Sequence, residues 1–477
     1  MPIDMNGQII GANPNDVERA VLANLQGNIL KGHGRDHTVN LFLGFNQSEL
    51  PQVKKLVSTV GESVTSALDQ LEQACEYRRS KVSGGTFATF LLSAAGYRVL
   101  QLDERMPDER AFCDGMKQRG KELLDPHEDT WNEHFQTEIH ALLIIADDNP
   151  AQVAATRDHW LREMGATVKV LGQEIGLAQR NSEGRGIEHF NYVDGRSQPL
   201  FFNEDIEAEK QKEGIDKWDP TFPLKQVLVP CPSGEKDGFG SYFVFRKLEE
   251  NVRGFKAHGK QLGKFLKLGD GVLLADDQHE QEELAGALVV GRFENGTPTV
   301  LHNHPSELAI VPNNFNYDDD PNGLKCPLHG HIRKSNPRGE SVKKFEGETT
   351  LEQERSHIMA RRGITYGHRA IHPSDPAIRL EEMPTGDVGL LFMAYQSNIE
   401  NQFEFTQKFW VNNVNFVAED TGIDPVIGQK TAAKGSRWPV AWGESEKSER
   451  FDFSGFVTLL GGEYFFAPCI SFLKHLS

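Results

Sequence analysis

The chain has little cysteine. Its five cysteines, Cys75, Cys113, Cys231, Cys326 and Cys469, are scattered over 477 residues without a C-x-x-C pair. That argues against a disulfide framework and fits a reducing compartment. Long apolar runs are missing too, and none reaches the roughly 20 residues of a membrane-spanning helix. The opening stretch, MPIDMNGQIIGANPNDVERA, has no basic leader and no apolar core. A cytoplasmic location is therefore expected. Positive charge is in deficit, with 51 Lys and Arg against 69 Asp and Glu and a net charge of −18. Such a surface repels phosphate backbones and anionic lipid heads, so neither nucleic acid nor membrane is expected as a partner.

What is present is the material of a soluble globular protein, with 38% hydrophobic residues, 45 Gly and 23 Pro. The length allows one to three domains. Thr38 to Phe45, Phe87 to Leu92, Glu138 to Ala146 and Thr167 to Ile175 read as strands. Leu50 to Glu76 and Ala151 to Met164 have helical period. The order strand–helix–strand–strand–helix–strand is that of a ferredoxin-like unit. Residues 205–222 are charged and poor in apolar side chains, and are expected to connect an N-terminal domain, 1–204, to a C-terminal one, 223–477. The second half has similar grammar: strands at Ser241 to Phe245 and Val388 to Tyr395, and helical stretches at Gln261 to Leu268 and Gln402 to Val411. The fold class expected is α+β. Residues 296–370 carry little periodicity, and a loop-rich insertion of that size is usually functional.

Three segments carry candidate chemistry. In CPLHGHIRKSNPR, Cys326 to Arg338, the imidazole of His331 is followed by Arg333, Lys334 and Arg338. Imidazole is a good axial ligand for haem iron, and flanking arginines suit haem carboxylates. His302 with His304, and His329 with His331, also form H-x-H pairs that could hold zinc or non-haem iron in an extended strand. Most histidines in such loops are merely surface or hydrogen-bonded residues. In NYVDGRSQP, Asp194 is either a turn residue or a carboxylate aimed into a pocket. In MARRGITYG, Arg361 and Arg362 are either a solvated pair or anion binders.

Together these segments resemble the dye-decolorising peroxidases, and most closely their longer-chain branch. NYVDGRSQP, KCPLHGHIRKSNPRG, RRGITYG, GLLFMAYQSNIENQFEFTQKFWVNN, DPVIGQ and GGEYFFAPCISFL occur in the family's order. NLQGNILKGHGRDH resembles its opening. The resemblance implies two ferredoxin-like domains of antiparallel sheet and helices, with one haem b per chain in the second. It places the iron ligand on His331, with His329 as competitor, the distal acid on Asp194 and the distal arginine on Arg361 rather than Arg362. It places apolar residues over the haem on Leu390 and Phe392. Arg338 is a candidate partner for a haem carboxylate, and Asp424 a candidate acceptor for the proximal imidazole. One departure stands out: the family's G-x-x-D-G begins here with Asn191, which tolerates left-handed backbone angles better than most residues.

The implied reaction is peroxide-driven oxidation of organic donors such as dyes and phenolics. Asp194 and Arg361 would assist heterolytic O–O cleavage to compound I. A carboxylate base has a reference pKa near 4, against about 6.5 for histidine, so acid-shifted activity is expected. Bulky donors would be oxidised at surface aromatics; by residue type the candidates are Trp218, Trp410, Trp438, Trp442 and Tyr317. The expected partners are hydrogen peroxide and small organic reductants, with homo-oligomerisation left open. The competing readings are a non-enzymatic haem carrier or sensor, and a non-haem metalloprotein using the H-x-H pairs.

Overall fold

The computed structural model describes residues 3–476 except 12, 233, 235–237, 267–277, 346, 430–434 and 444–447. Apolar, β-branched and aromatic runs form its long strands. β1 (His37–Phe45), β2 (Phe87–Leu92), β3 (Ala141–Asp147) and β4 (Val168–Leu177) belong to the first half. β5 (Phe239–Glu250), the short β6 (Ala360–Arg361), β7 (Ile364–Tyr366), β8 (Gly389–Gln396) and β9 (Val457–Ala467) belong to the second. In the first half the order is β2-β3-β1-β4, and in the second β7-β8-β5-β9. Both are the ferredoxin-like arrangement, and all pairings are antiparallel. The two units join at both edges. Phe466 of β9 pairs with Leu92 of β2, and Tyr366 of β7 pairs with Gly176 of β4. Eight strands thus close on themselves, which leaves the long strands no free edge.

β1, β2 and β3 are largely buried on both faces, whereas β4 exposes alternate residues such as Ile175 and Leu177. Every residue of β2 and β3 is buried. Their outward side is covered by α1 (Leu50–Ser63), α2 (Ala67–Ser80) and α3 (Pro150–Met164), of which α1 packs Val53, Leu56, Val57 and Val60 inward. The expected single helix from Leu50 to Glu76 is therefore two. The break has a local cause. Ser66 caps α2 in a reciprocal capping box with Asp69, and Thr65 leaves the helix to hydrogen-bond Ala88 and Gly27.

The second unit carries α4 (Val252–Phe265) and α5 (Gln278–Val290). Of the expected stretch Gln261 to Leu268, positions 267 and 268 lie outside the described residues. The expected helix Gln402 to Val411 is wound more widely, as π-helical turns at Glu400–Glu404 and Thr406–Val411. Phe405 and Phe409 still meet, with ring centroids 4.9 Å apart and planes tilted by 43°. Residues 205–213, expected as part of a connector, lie in the helix Asn203–Glu213. The loop-rich stretch after α5 contains the five-residue helix α6 (His331–Ser335).

Candidate active site

A cavity of about 530 Å³, a size that suits a cofactor, is lined by both halves: by His33, Arg35 and Asp194 from the first, and by β5, β8 and His331 from the second. Its floor comes from strands whose alternate side chains face it: Arg246, Leu248 and Glu250 on β5, and Leu390 and Phe392 on β8. The intervening Leu391 and Met393 are buried in the main core instead. This alternation is the period-2 geometry of a strand with a different task on each face.

His331 enters from the first position of α6. Its Nδ1 lies 2.8 Å from Asp424 Oδ2. Asp424 is fully buried, and its Oδ1 accepts the amides of Val426 and Ile427 at 2.8 and 3.0 Å. Those bonds fix the carboxylate, which fixes the ring and leaves Nε2 free to bind a metal. Burial alone would lower the His331 imidazole. The charge and hydrogen bond of Asp424 more than offset it, and the net displacement is upward. His329 does not line the cavity. It is buried with its ring edge-on to Trp438, centroids 4.3 Å apart. His302 and His304 are 6.2 Å apart ring to ring, and no group of three or more His, Cys, Asp or Glu among the described residues is placed to hold a metal ion.

Asp194 and Arg361 meet over the same cavity, with Nη1 to Oδ1 at 4.0 Å. Both stay partly open, at 40% and 35% of side-chain exposure, so neither is locked into a full ion pair. Arg361 is aimed by its neighbours. Its Nη2 donates to the carbonyl of Arg196 at 2.7 Å, and its backbone N–H to Gln198 Oε1 at 3.0 Å. Arg362 has a structural task, tying the carbonyls of Asn28 and Ile29 to the sheet. Asn191 has φ +77°, the left-handed angle that the motif's glycine would take. Its side chain adds bonds no glycine can make, donating to Glu294 and accepting from Ser374 Oγ.

Arg338 also lines the cavity, together with Arg196 and Arg292. Arg338 spends its Nη protons on the carbonyls of Asn313 and Phe315, on Ser197 Oγ and on Asn313 Oδ1. Arg292 donates to the carbonyls of Gly296 and Pro312, but its buried Nη2 meets no acceptor. Burial and the neighbouring arginines push Arg292 down to about 9, so it is still a cation near neutrality. An enclosed guanidinium nitrogen without a partner marks a place for an anionic group. Arg196 and Gln198 lie inside NYVDGRSQP, so that motif was their signal; Arg292 has none in the sequence. Of the aromatics proposed by type, Trp218, Trp410, Trp438 and Tyr317 are buried, and Trp442 is half-buried.

Residues 24–178 match the DyP dimeric alpha+beta barrel domain family. The chain is 41% identical to the multifunctional dye peroxidase DyP2 of Amycolatopsis, over the whole of both chains. A solved DyP-type peroxidase of Anabaena superposes with a TM-score of 0.90 at 41% identity, covering 99% of each chain. A dye-decolorizing peroxidase solved with 2,6-dimethoxyphenol superposes with a TM-score of 0.76 at 26% identity, covering 95% of this chain and 98% of that one. The peroxidases of this family are haem-dependent. The protein belongs to the dye-decolorizing peroxidases and is an oxidoreductase that uses peroxide as its electron acceptor.

Proposed function

We propose that one haem b binds in the cavity with His331 as axial ligand, and that Asp194 and Arg361 perform the acid–base and electrostatic work on hydrogen peroxide. The observation that carries this reading is convergence. Three residues from separate segments, 194, 331 and 361, face one cavity of cofactor size.

The residues present fit haem. His331 offers an imidazole nitrogen, oriented through Nδ1 by Asp424. Leu390, Phe392 and Leu248 supply apolar wall for a porphyrin ring. Arg292, with its unpartnered Nη2, and Arg338 supply cations for two carboxylates. Arg338 Nη atoms are already engaged, so Arg292 is the stronger anchor. When bound, haem supplies the redox-active iron at which the peroxide O–O bond is cleaved and through which two donor electrons are returned.

The chain's own groups move the protons. Asp194 takes a proton from one peroxide oxygen and gives it to the other. Arg361 holds positive charge beside the departing oxygen as negative charge grows there. Asp424 keeps His331 a strong donor by accepting its Nδ1 proton. Phenols and dyes are the donors this reading assigns; a solved family member at 26% identity was captured with 2,6-dimethoxyphenol.

The test is an absorption spectrum of the purified holoprotein and of His331→Ala. The wild type should show the intense Soret band of histidine-ligated haem, which moves on mixing with peroxide. Loss of haem or a changed ligand-field spectrum is expected in His331→Ala. An identical spectrum in that variant would remove His331 from the iron.

A further inference from the structure

Two acids of the cavity have no task in the reaction as described. Glu188 precedes the Asp194 loop, and Glu250 ends β5; both line the cavity. Glu188 is held as an acceptor, with Oε2 receiving the N–H of Phe190 at 2.6 Å and Oε1 that of Tyr192 at 2.8 Å. Glu250 is 3% exposed and lies against Glu188, close to the amide of His189. Its Oε2 is enclosed and receives no donor. Two carboxylates have only acceptors to offer each other, so this contact needs a proton on one of them.

The surroundings do not neutralise the pair by other means. Lys256 acts on Glu188 but is ion-paired with Glu294. Arg369 acts on both and donates to the carbonyl of His189. Asp194 adds negative charge on the Glu250 side. Tyr192 and Tyr366, also within reach, are raised and stay neutral.

We propose that Glu188 and Glu250 share one proton and serve as the proton store of this cavity. The need for a store follows from the balance of the reaction. One peroxide, two electrons from donors and two protons give two waters. The site must therefore receive two protons per turnover. The pair gives its proton toward the forming water when a donor electron arrives, and is refilled from solvent. Glu188 is fixed by two amides as the carboxylate end, and Glu250 is the acid end. Burial supports a shared proton, raising both carboxyls above the usual carboxylate range. The proposal rests on the reading that Asp194 works in this cavity.

The experiment has an infrared and a kinetic arm on the holoprotein. Near pH 6 the wild type should show a protonated-carboxyl carbonyl band, shifted in deuterium oxide, that Glu250→Gln lacks. For a phenolic donor, Glu250→Gln should lower kcat by about tenfold or more, with KM changed far less, as expected on removing a proton donor. Glu250→Asp should recover part of kcat. The wild-type kcat should also fall as pH rises and Glu250, held well above the usual carboxylate range by burial and by Glu188, gives up its proton. Should Glu250→Gln fail to fold, Glu188→Gln must remove or displace the same band. An unchanged band in these variants, or superimposable kcat–pH profiles for wild type and Glu250→Gln, would overturn the proposal. Failure of the Asp194 reading shows separately, as an unaltered rate of peroxide consumption in Asp194→Asn, and leaves the infrared arm untouched.

Discussion

At the scale of single residues, the proposed division of labour predicts an order of effects. Arg361→Leu should slow peroxide cleavage more than Asp194→Asn, because charge stabilisation is often the larger catalytic term; losses of about 100-fold or more are expected for the arginine. Stopped-flow mixing with peroxide checks this, and an unimpaired Arg361→Leu would sink it. Asn191 gives a second test. Asn191→Ala keeps the left-handed backbone at a cost of about 1–2 kcal/mol and loses both side-chain bonds. Asn191→Gly loses the bonds but relieves the backbone, so it should be the milder variant in urea unfolding. Equal destabilisation would mean that φ at 191 does not matter. Asp194, His331 and Arg361 were assigned through the family resemblance; alone, D-G at a bend, an imidazole followed by cations and a paired arginine each have a plain turn or surface reading. Arg292 and Glu250 were not legible. Each sits in an ordinary helix-end or strand context, and only the closing of the cavity around it makes its charge consequential.

At the scale of elements, α6 is only five residues long and carries His331, so its position depends on what it packs against. Gly291 is the critical contact. Its φ is +95°, and a Cβ there would lie 2.4 Å from Ile332 Cγ1, one residue from the imidazole. Gly291→Ala must therefore push α6 as well as strain the turn. We expect about 1–3 kcal/mol of destabilisation, as for overpacking, and a weaker hold on haem. Titration of the apoprotein with hemin measures the second effect, and an unchanged midpoint would refute it. β1 to β5, β8 and α3 were legible from apolar runs and period, whereas the short β6 and β7 and the Gly-interrupted β9 were not read as strands. The split between α1 and α2 was harder to see. Val53, Leu56, Val60, Val64 and Leu68 continue one helical stripe through the break, while the signal that ends it is the Ser66–Asp69 capping box. Local capping overrode periodicity there because Thr65 found β-type partners in Gly27 and Ala88.

At the scale of the molecule, the two units hold each other closed through very few backbone pairs, and His189 sits at one seam. Tyr366 of β7 pairs with Gly176 of β4, and His189 Nε2–H donates to the carbonyl of Tyr366 at 2.7 Å. Its Nδ1 lies 3.0 Å from the Gln179 amide, just past the end of β4. One neutral imidazole thus bridges both halves. The duplication was legible from element order, but the closure was not, since strand pairing between units leaves no mark in either sequence pattern. The closed sheet predicts one cooperative unfolding transition, because much of the buried core is shared by both units. It also predicts an acid weakness at the seam. Burial, with Arg369 adding to it, lowers His189 from 6.5 to about 4, although the Tyr366 carbonyl acts the other way. The unfolded chain binds a proton below pH 6.5, whereas the folded chain refuses it until about pH 4. The stability from this neutral imidazole is complete above pH 6.5 and is lost as pH falls through 4, by about 3 kcal/mol in all. Urea midpoints should fall over that window in the wild type and fall less in His189→Gln, which cannot take up the proton. Parallel pH slopes in the two proteins would show that the seam is not where acid acts. A fall confined to one half, seen as two transitions, would show instead that the units open independently and that the ring of strands is not the cooperative unit.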